Sequence, residues 1–386
     1  MTQSGSRVVA VDLLRGLVMV LMVIDHLREF FFLHAQVTDP VDLAVTSPAL
    51  ALTRFASHPC APVFVFLAGM SAWLSGQKQG GDRRSIAAHL VKRGLLLVIL
   101  EVTVVNFAWT FAFPPTTLYL QVIWAIGLSM LALAGLVWLP GGALLAVSLA
   151  IVAGHGLLSG VRVGPESPWH ALWAVLHQRD WIALADGLRL RTSYPVLPWI
   201  GVIGLGYAFA PAYLRRTPAA RRALCLRLGL ACLAGFAVLR AWNGYGEPRP
   251  WTAFPDALTT AVSFLNLTKY PPSLDFVLAT LGLGLCALAW LERLERLERL
   301  PARGAAVLQT LGGAPMFFYL LHLYALHLAY WLALHAFGTN HGERFGFDAA
   351  WQLWAAWLPT VALLYGPTRR FAALRRTGRH PWMRYL

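Results

Sequence analysis

Two side chains in the first apolar stretch can do chemistry that a plain spanning helix does not need. Arg15 and His26 lie in the run Asp12-Leu-Leu-Arg15-Gly-Leu-Val-Met-Val-Leu-Met-Val-Ile-Asp25-His26. Ionisable groups inside a spanning helix are expensive and mark functional positions by default. Eleven helical positions return to within about 20° of the start, so the two share one stripe, roughly 16 Å apart along the axis. Met19 and Met22 lie between them. A cation at one end of the stripe and an imidazole at the other suit a long ligand with an anionic head and a reactive tail. Asp25, next to His26, is placed to orient the ring so that it acts as a general base. The plainer readings are an Asp12–Arg15 ion pair that sets helix depth by snorkelling, and a His26 that only ties helices together.

Further polar groups gather in three other segments. Arg54 and His58, four apart, share a helix face in Thr53-Arg54-Phe-Ala-Ser57-His58-Pro59-Cys60-Ala-Pro62. Lys269 and Tyr270 stand in Thr268-Lys269-Tyr270-Pro271-Pro272-Ser273, and His322 in Phe317-Phe-Tyr319-Leu-Leu-His322. Loops 34–49, 161–193 and 243–271 collect His34, Asp39, His170, His177, Arg179, Asp180, Glu247 and Arg249. They fit a mouth for a polar, sugar-like acceptor, and equally ordinary solvated connections. Cys60 beside His58 is conceivable as a nucleophile, with packing the plainer reading; Cys225, Cys232 and Cys286 read as small hydrophobes. Glu101, Asn106 and Gln121 are polar groups expected to bond between helices. No HExxH and no His/Cys cluster with zinc spacing occurs, so no metal is expected.

The elements that must position these groups are membrane helices. The 386 residues are 58% hydrophobic and 13% charged, and long apolar stretches recur along the whole chain. The expected spans are 8–33, 50–76, 88–112, 117–139, 141–160, 194–213, 223–242, 272–290, 306–336 and 349–368. The ninth is too long for one straight crossing, and 251–266 reads as a short interfacial or re-entrant helix. The fold class is therefore all-α: a polytopic bundle of about 10 (10–11) transmembrane helices. It forms one integral-membrane domain over 1–386, with its core at 8–336 and the last helix and a basic tail at 349–386. The polar start followed by a charged apolar segment without a small-residue cleavage site does not read as a cleaved signal peptide.

Basic residues set the orientation. Lys78, Arg83, Arg84, Lys92 and Arg93 flank one loop and Arg215, Arg216, Arg221, Arg222 and Arg227 another. The repeat LERLERLERLPAR adds Arg293, Arg296, Arg299 and Arg303, and the tail adds Arg369, Arg370, Arg375, Arg376, Arg379 and Arg384. With Arg7 these all fall on one side, read as cytoplasmic together with both termini. The net charge of +14 is then positive-inside bias and attraction to anionic lipid, and no nucleic-acid partner is expected. The repeat has period three, which holds no heptad seam, and extends the eighth helix. Trp351, Trp354 and Trp357 fit an interfacial belt or the face of a homodimer, and composition does not choose.

Asp12-x-x-Arg15-Gly followed by His26 resembles the first-helix signature of the transmembrane acyltransferase superfamily, which includes the acyltransferase-3 proteins. The set with Asp25-His26, Ser57-His58-Pro-Cys60-Ala-Pro62, Leu197-Pro198-Trp199-Ile-Gly201, Thr268-Lys269-Tyr270-Pro-Pro-Ser273 and Phe317-Phe-Tyr319-Leu-Leu-His322 is most similar to the bacterial relatives of heparan-alpha-glucosaminide N-acetyltransferase. The resemblance runs from residue 8 to about 330. It implies a bundle around a central channel, with acyl-CoA (acetyl-CoA) as donor from the cytoplasm and an acceptor on the opposite face.

The resemblance also implies an N- or O-acyltransferase of the bacterial inner membrane, with membrane lipids, acyl-CoA and a small sugar-like or glycan acceptor as partners. Arg15 and Asp12, with Arg83 and Arg84, are the expected acyl-CoA residues. His26 with Asp25 is the expected catalytic pair, ahead of His58 and then His34. Arg54, Lys269, Tyr270 and His322 are the expected acceptor or oxyanion contacts. The alternative function is a proton-coupled transporter or flippase using Asp25, His26 and Arg54 as a relay.

Overall fold

The structure, a computed structural model, describes residues 8–78, 80–296, 301–378 and 383. In chain order the helices are α1 (Val9–Phe31), α2 (Pro48–Ala56), α3 (Cys60–Lys78), α4 (Arg83–Leu100), α5 (Asn106–Thr110), α6 (Val122–Leu136), α7 (Gly141–Gly154) and α8 (His170–Leu176). They continue as α9 (Leu197–Leu214), α10 (Pro218–Trp242), α11 (Ala257–Leu265), α12 (Leu274–Arg296), α13 (Ala302–Gly313), α14 (Pro315–Phe337) and α15 (Ala350–Arg376). Every expected span falls on one or two of them. Local chemistry sets several starts: Ser47, Asp82, Thr217 and Asp256 each accept a first-turn N–H, and Pro48 and Pro218 open their helices.

Among the described residues, six stretches are long and apolar enough to cross a membrane: Pro48–Lys78, Gly141–Leu158, Leu197–Leu214, Pro218–Trp242, Leu274–Glu295 and Pro315–Phe337. The other expected spans lie on helices that are shorter or more polar; α1 carries Asp12, Arg15, Asp25, Arg28 and Glu29. The expected ninth span breaks into α13 and α14 at Ala314, whose backbone leaves the helical region immediately before Pro315. The third contains a π-helical turn, Glu101–Val105, between α4 and α5. The eighth helix extends to Arg296 as expected; residues 297–300 of the LERLERLERL repeat, and Arg7, Arg379 and Arg384, lie outside the described residues.

The all-α expectation needs one addition. Three short strands, β1 (Thr117–Tyr119), β2 (Trp181–Ala185) and β3 (Leu188–Arg191), form a sheet in the order β1-β3-β2. β2 and β3 are an antiparallel hairpin closed at Asp186-Gly187, where Gly187 takes φ 76°. β1 joins β3 in parallel. The polar loop 161–193 is therefore partly ordered backbone.

The chain divides into two compact units. The first comprises Ala61–Trp251 and Leu267–Ala289. Its helices meet at small residues: an added Cβ at Gly94 would stand 2.7 Å from the Gly127 carbonyl, and one at Gly127 would stand 2.8 Å from that of Gly94, which locks α4 onto α6. Buried Glu101 accepts from the Trp124 N–H at 2.9 Å and caps α6, while Asn106 holds both Thr117 O and Tyr119 N at 3.0 Å. The second unit comprises Val8–Cys60, Thr252–Asn266 and Trp290–Leu386. Here α1 is the central helix, packed by α2, α13, α14 and α15. The short helix α11 lies against α2 and loop 36–43, where the Asn266 amide takes both backbone groups of Val41 at 2.9 and 2.8 Å.

Candidate active site

α1 is unbroken from Val9 to Phe31, so Arg15 and His26 keep their shared stripe, with Met19 and Met22 buried between them. At the imidazole end, His26 Nδ1 lies 2.5 Å from Nε2 of His322 on α14. The rings are nearly parallel, 3° apart in tilt, with centroids 4.8 Å apart. Tyr319, one turn earlier on α14, meets the His26 ring edge-on at 5.9 Å.

The tautomers follow from the next contact. Nδ1 of the fully buried His322 is 2.9 Å from the Phe318 carbonyl, which can only accept, so that nitrogen carries a proton. Neutral His322 then presents a lone pair at Nε2. His26 Nδ1 must donate to it, and the lone pair of His26 sits on Nε2. When His26 takes a proton at Nε2, its Nδ1–H still points at an acceptor. His322 thus supports an imidazolium at His26, as a third group does behind any histidine base.

Asp25 has another partner. Its Oδ1 accepts from Nη2 of Arg28 at 2.9 Å, and the same nitrogen reaches Glu29 at 2.5 Å. Arg28 is 1% exposed. In this geometry Asp25 faces Arg28, and Nδ1 of His26 faces His322.

At the other end, Arg15 Nη1 lies 3.1 Å from Asp12 Oδ1 and 3.1 Å from the Gly312 carbonyl. Arg375 of α15 reaches the adjacent Gly313 carbonyl at 2.6 Å. Two arginines thus cover the carbonyl end of α13, where the helix dipole favours cations.

The remaining groups of the second unit pack around α1. Arg54 pairs with Asp39 at 2.7 Å, both side chains buried. His58 is buried in the turn between α2 and α3, its ring tilted against Phe55. Cys60 donates to the Val18 carbonyl of α1 at 3.5 Å. Trp357 and Trp354 donate to Val20 O at 2.7 Å and Thr53 Oγ1 at 3.0 Å, tying α15 to α1 and α2, while Trp351 is exposed. His327 packs on Phe30. His34, beyond the end of α1, stacks on His341 with centroids 3.6 Å apart, and burial, then the His341 charge, lowers its pKa below the ordinary histidine value.

The other expected site residues belong to the first unit. Arg83 and Arg84 occupy the exposed first turn of α4, and Arg83 donates to Trp138 O at 2.7 Å beyond the end of α6. Lys269 is buried with its ammonium 5.2 Å from the Tyr270 ring centre, and the Tyr270 hydroxyl donates to that of Tyr194 at 3.1 Å. Glu247 accepts from the Thr268 N–H at 2.9 Å and from its hydroxyl, anchoring the segment that holds Lys269. Burial raises the Glu247 pKa, against the bonds from Ser273 and Thr268. Composition did not reveal Arg28, whose signal is its three-residue spacing from Asp25.

A family described as "Heparan-alpha-glucosaminide N-acetyltransferase, catalytic" matches residues 7–239. Among curated proteins nothing matches the chain.

Proposed function

The chain belongs to the heparan-alpha-glucosaminide N-acetyltransferase catalytic family, and from that premise we propose that it moves an acetyl group from cytoplasmic acetyl-CoA to an amine or hydroxyl of a sugar-like acceptor across the membrane. In this reading the whole chain works as one integral enzyme of a bacterial inner membrane, with both termini in the cytoplasm. The observation that carries the mechanism is the His26–His322 pair, which leaves the His26 lone pair on Nε2. The acceptor N–H or O–H gives its proton to that nitrogen as the acceptor attacks the thioester carbonyl. The carbon–sulfur bond then breaks, and the imidazolium returns the proton to the departing CoA thiolate. The positive charge of Arg15 draws the CoA phosphates to the far end of the stripe.

The test uses the full chain in detergent, with acetyl-CoA binding followed by calorimetry and turnover by release of free CoA in the presence of amino sugars. His26→Ala is expected to bind acetyl-CoA within about twofold of wild type and to lose roughly 10²–10⁴ in turnover. Arg15→Ala is expected to weaken binding. If His26→Ala turns over normally while His34→Ala or His58→Ala does not, the base is that histidine and the His26–His322 pair is a helix tie.

A further inference from the structure

Arginines crowd the end of α15, and the fold uses only some of them. Arg375 donates to the Gly313 carbonyl at 2.6 Å and Arg376 to the Ala372 carbonyl at 3.2 Å. Both stand in the last turn of the helix, where its dipole favours cations. Arg369 and Arg370 stand before that turn, directly after the apolar run that ends at Thr368, and both are exposed. Among the described residues, neither makes an ion pair or a side-chain hydrogen bond. Two adjacent like charges repel each other, and an anion held between them relieves that cost.

A cavity of about 400 Å³ lies at this pair, lined by Tyr365, Gly366, Pro367, Arg369 and Arg370. Helix geometry accounts for its shape. Arg369 falls about 60° to one side of Gly366 and Arg370 about 40° to the other. Helical side chains lean toward the N-terminus, so both arginine stems project over the turn that contains Gly366. Gly366 leaves the floor bare, because a Cβ built there meets nothing within 4 Å. Pro367 has no N–H, so the Leu363 carbonyl lacks its donor four residues on. The floor is therefore small and backbone-lined, and its two sides are cations.

The back of this cradle is fixed. Phe371 stacks on Phe317 of α14 with centroids 4.0 Å apart, and Thr368 and Ala372 are buried. The exposed face leads into the cradle from the apolar side: Leu358 is 57% exposed and Leu363 75%. An apolar strip that runs into a pair of cations matches an acyl chain that runs into a phosphate. A water-soluble phosphate compound makes no use of such a strip.

We propose that Arg369 and Arg370, on either side of Gly366, form a discrete site for the phosphate of one anionic phospholipid, whose acyl chains lie along Leu363 and Leu358. Such a lipid seats the charged end of α15 at the headgroup level of one leaflet. The site goes beyond the acyl-transfer reading and does not depend on it.

The experiment incubates the detergent-purified full chain with equal amounts of phosphatidylglycerol and phosphatidylcholine and counts retained lipid by native mass spectrometry. Wild type is expected to prefer phosphatidylglycerol by about tenfold, the scale of two arginines at a membrane surface, and Arg369→Gln/Arg370→Gln to bring the two lipids within about twofold. Gly366→Leu keeps every charge and has room for its Cβ, and it is expected to lose the preference in the same way by filling the floor. Arg215→Gln/Arg216→Gln removes equal charge from another basic end and is expected to keep it. Each variant is checked for a wild-type unfolding midpoint. Equal retention of the two lipids by wild type overturns the site, and that comparison needs no variant. Full preference in Gly366→Leu overturns it as well, and so does a loss in Arg215→Gln/Arg216→Gln as large as in the Arg369/Arg370 variant, since either leaves only diffuse attraction. Calorimetry with acetyl-CoA on the same variants separates the other source of phosphate: weakened acetyl-CoA binding with an unchanged lipid preference would assign the cavity to the donor. A His26→Ala variant with full turnover removes the proposed base and leaves the lipid preference where it was, so the two failures are separable.

Discussion

Arg28 is the residue on which the site's electrostatics turn. It is almost wholly buried on α1 and pairs with both Asp25 and Glu29. Removing one partner of a buried pair leaves an uncompensated charge, which costs about 3–5 kcal/mol. Glu29 is a third exposed and can turn to water, so the lower end is expected here. Arg28→Met should therefore lower the unfolding midpoint in detergent markedly, and Arg28→Lys, which keeps the charge but not the planar fork, should fall between. A midpoint unchanged in Arg28→Met would mean that the Arg28 ion pairs contribute little to stability. The residue was hard to read because it stands in the last turn of α1, where a basic side chain passes for an ordinary helix-end cation. His322 was legible by type, but its partner lies 296 residues away. Only the packing of α14 on α1 brings them together, and no spacing rule reaches that far.

At the scale of elements, two glycines let α13 reach α1. A Cβ on Gly16 would overlap the Leu308 backbone, and one on Gly312 would overlap the Asp12 carbonyl. Gly16→Val and Gly312→Val should each push the helices apart at about 1–3 kcal/mol or more, and should loosen the Arg15–Gly312 contact with them. The check is folded yield and acetyl-CoA affinity, and unchanged affinity in well-folded Gly312→Val would detach Arg15's binding role from α13. The helix spans were legible because apolar runs dominate them. The break at Ala314 was signalled only by Gly312-Gly313 and Pro315, inside a run that is otherwise mostly apolar. The hairpin was missed because its strands are only five and four residues long in a polar loop. A pH response belongs to this scale as well. His177, at the end of α8, meets His155 Nδ1 at 3.3 Å, and burial lowers its pKa below the ordinary 6.5. The unfolded chain therefore takes up that proton first as pH falls, so the stabilisation present above about pH 6.5 is lost through the acid side of that value. His177→Gln should flatten the fall in unfolding midpoint between pH 7 and 5, and an unchanged slope would assign the loss to another group.

For the whole molecule, the number of crossing helices sets which ends share a side of the membrane. The described basic residues sit at matching ends: Lys78 closes α3, Arg83 opens α4, Arg215 follows α9, Arg221 lies in the first turns of α10, and Arg369 to Arg376 close α15. Ten crossings put all of these on one side, as the positive-inside bias requires. Of the four expected spans outside the six membrane-length stretches, that of α6 rests on the shortest helix: its 15 residues rise only about 22 Å against a hydrocarbon core of about 30 Å. Its own composition favours insertion: it carries no charged residue, and its first turn is capped by the buried Glu101. Parity decides the matter. With α4 and α7 crossing, the chain crosses three times between Gln77 and Asp186 if α6 spans and twice if it does not; between Asp186 and Ala219 it crosses once, through α9, in either case. Single cysteines at these three exposed positions, probed in intact and permeabilised cells with a membrane-impermeant maleimide over the wild-type background, report the parity directly. Asp186→Cys is expected to label in intact cells, and Gln77→Cys and Ala219→Cys only after permeabilisation. Gln77→Cys labelling alongside Asp186→Cys would take α6 out of the membrane and split the basic ends between two sides, which the charge distribution of this chain makes energetically the poorer arrangement.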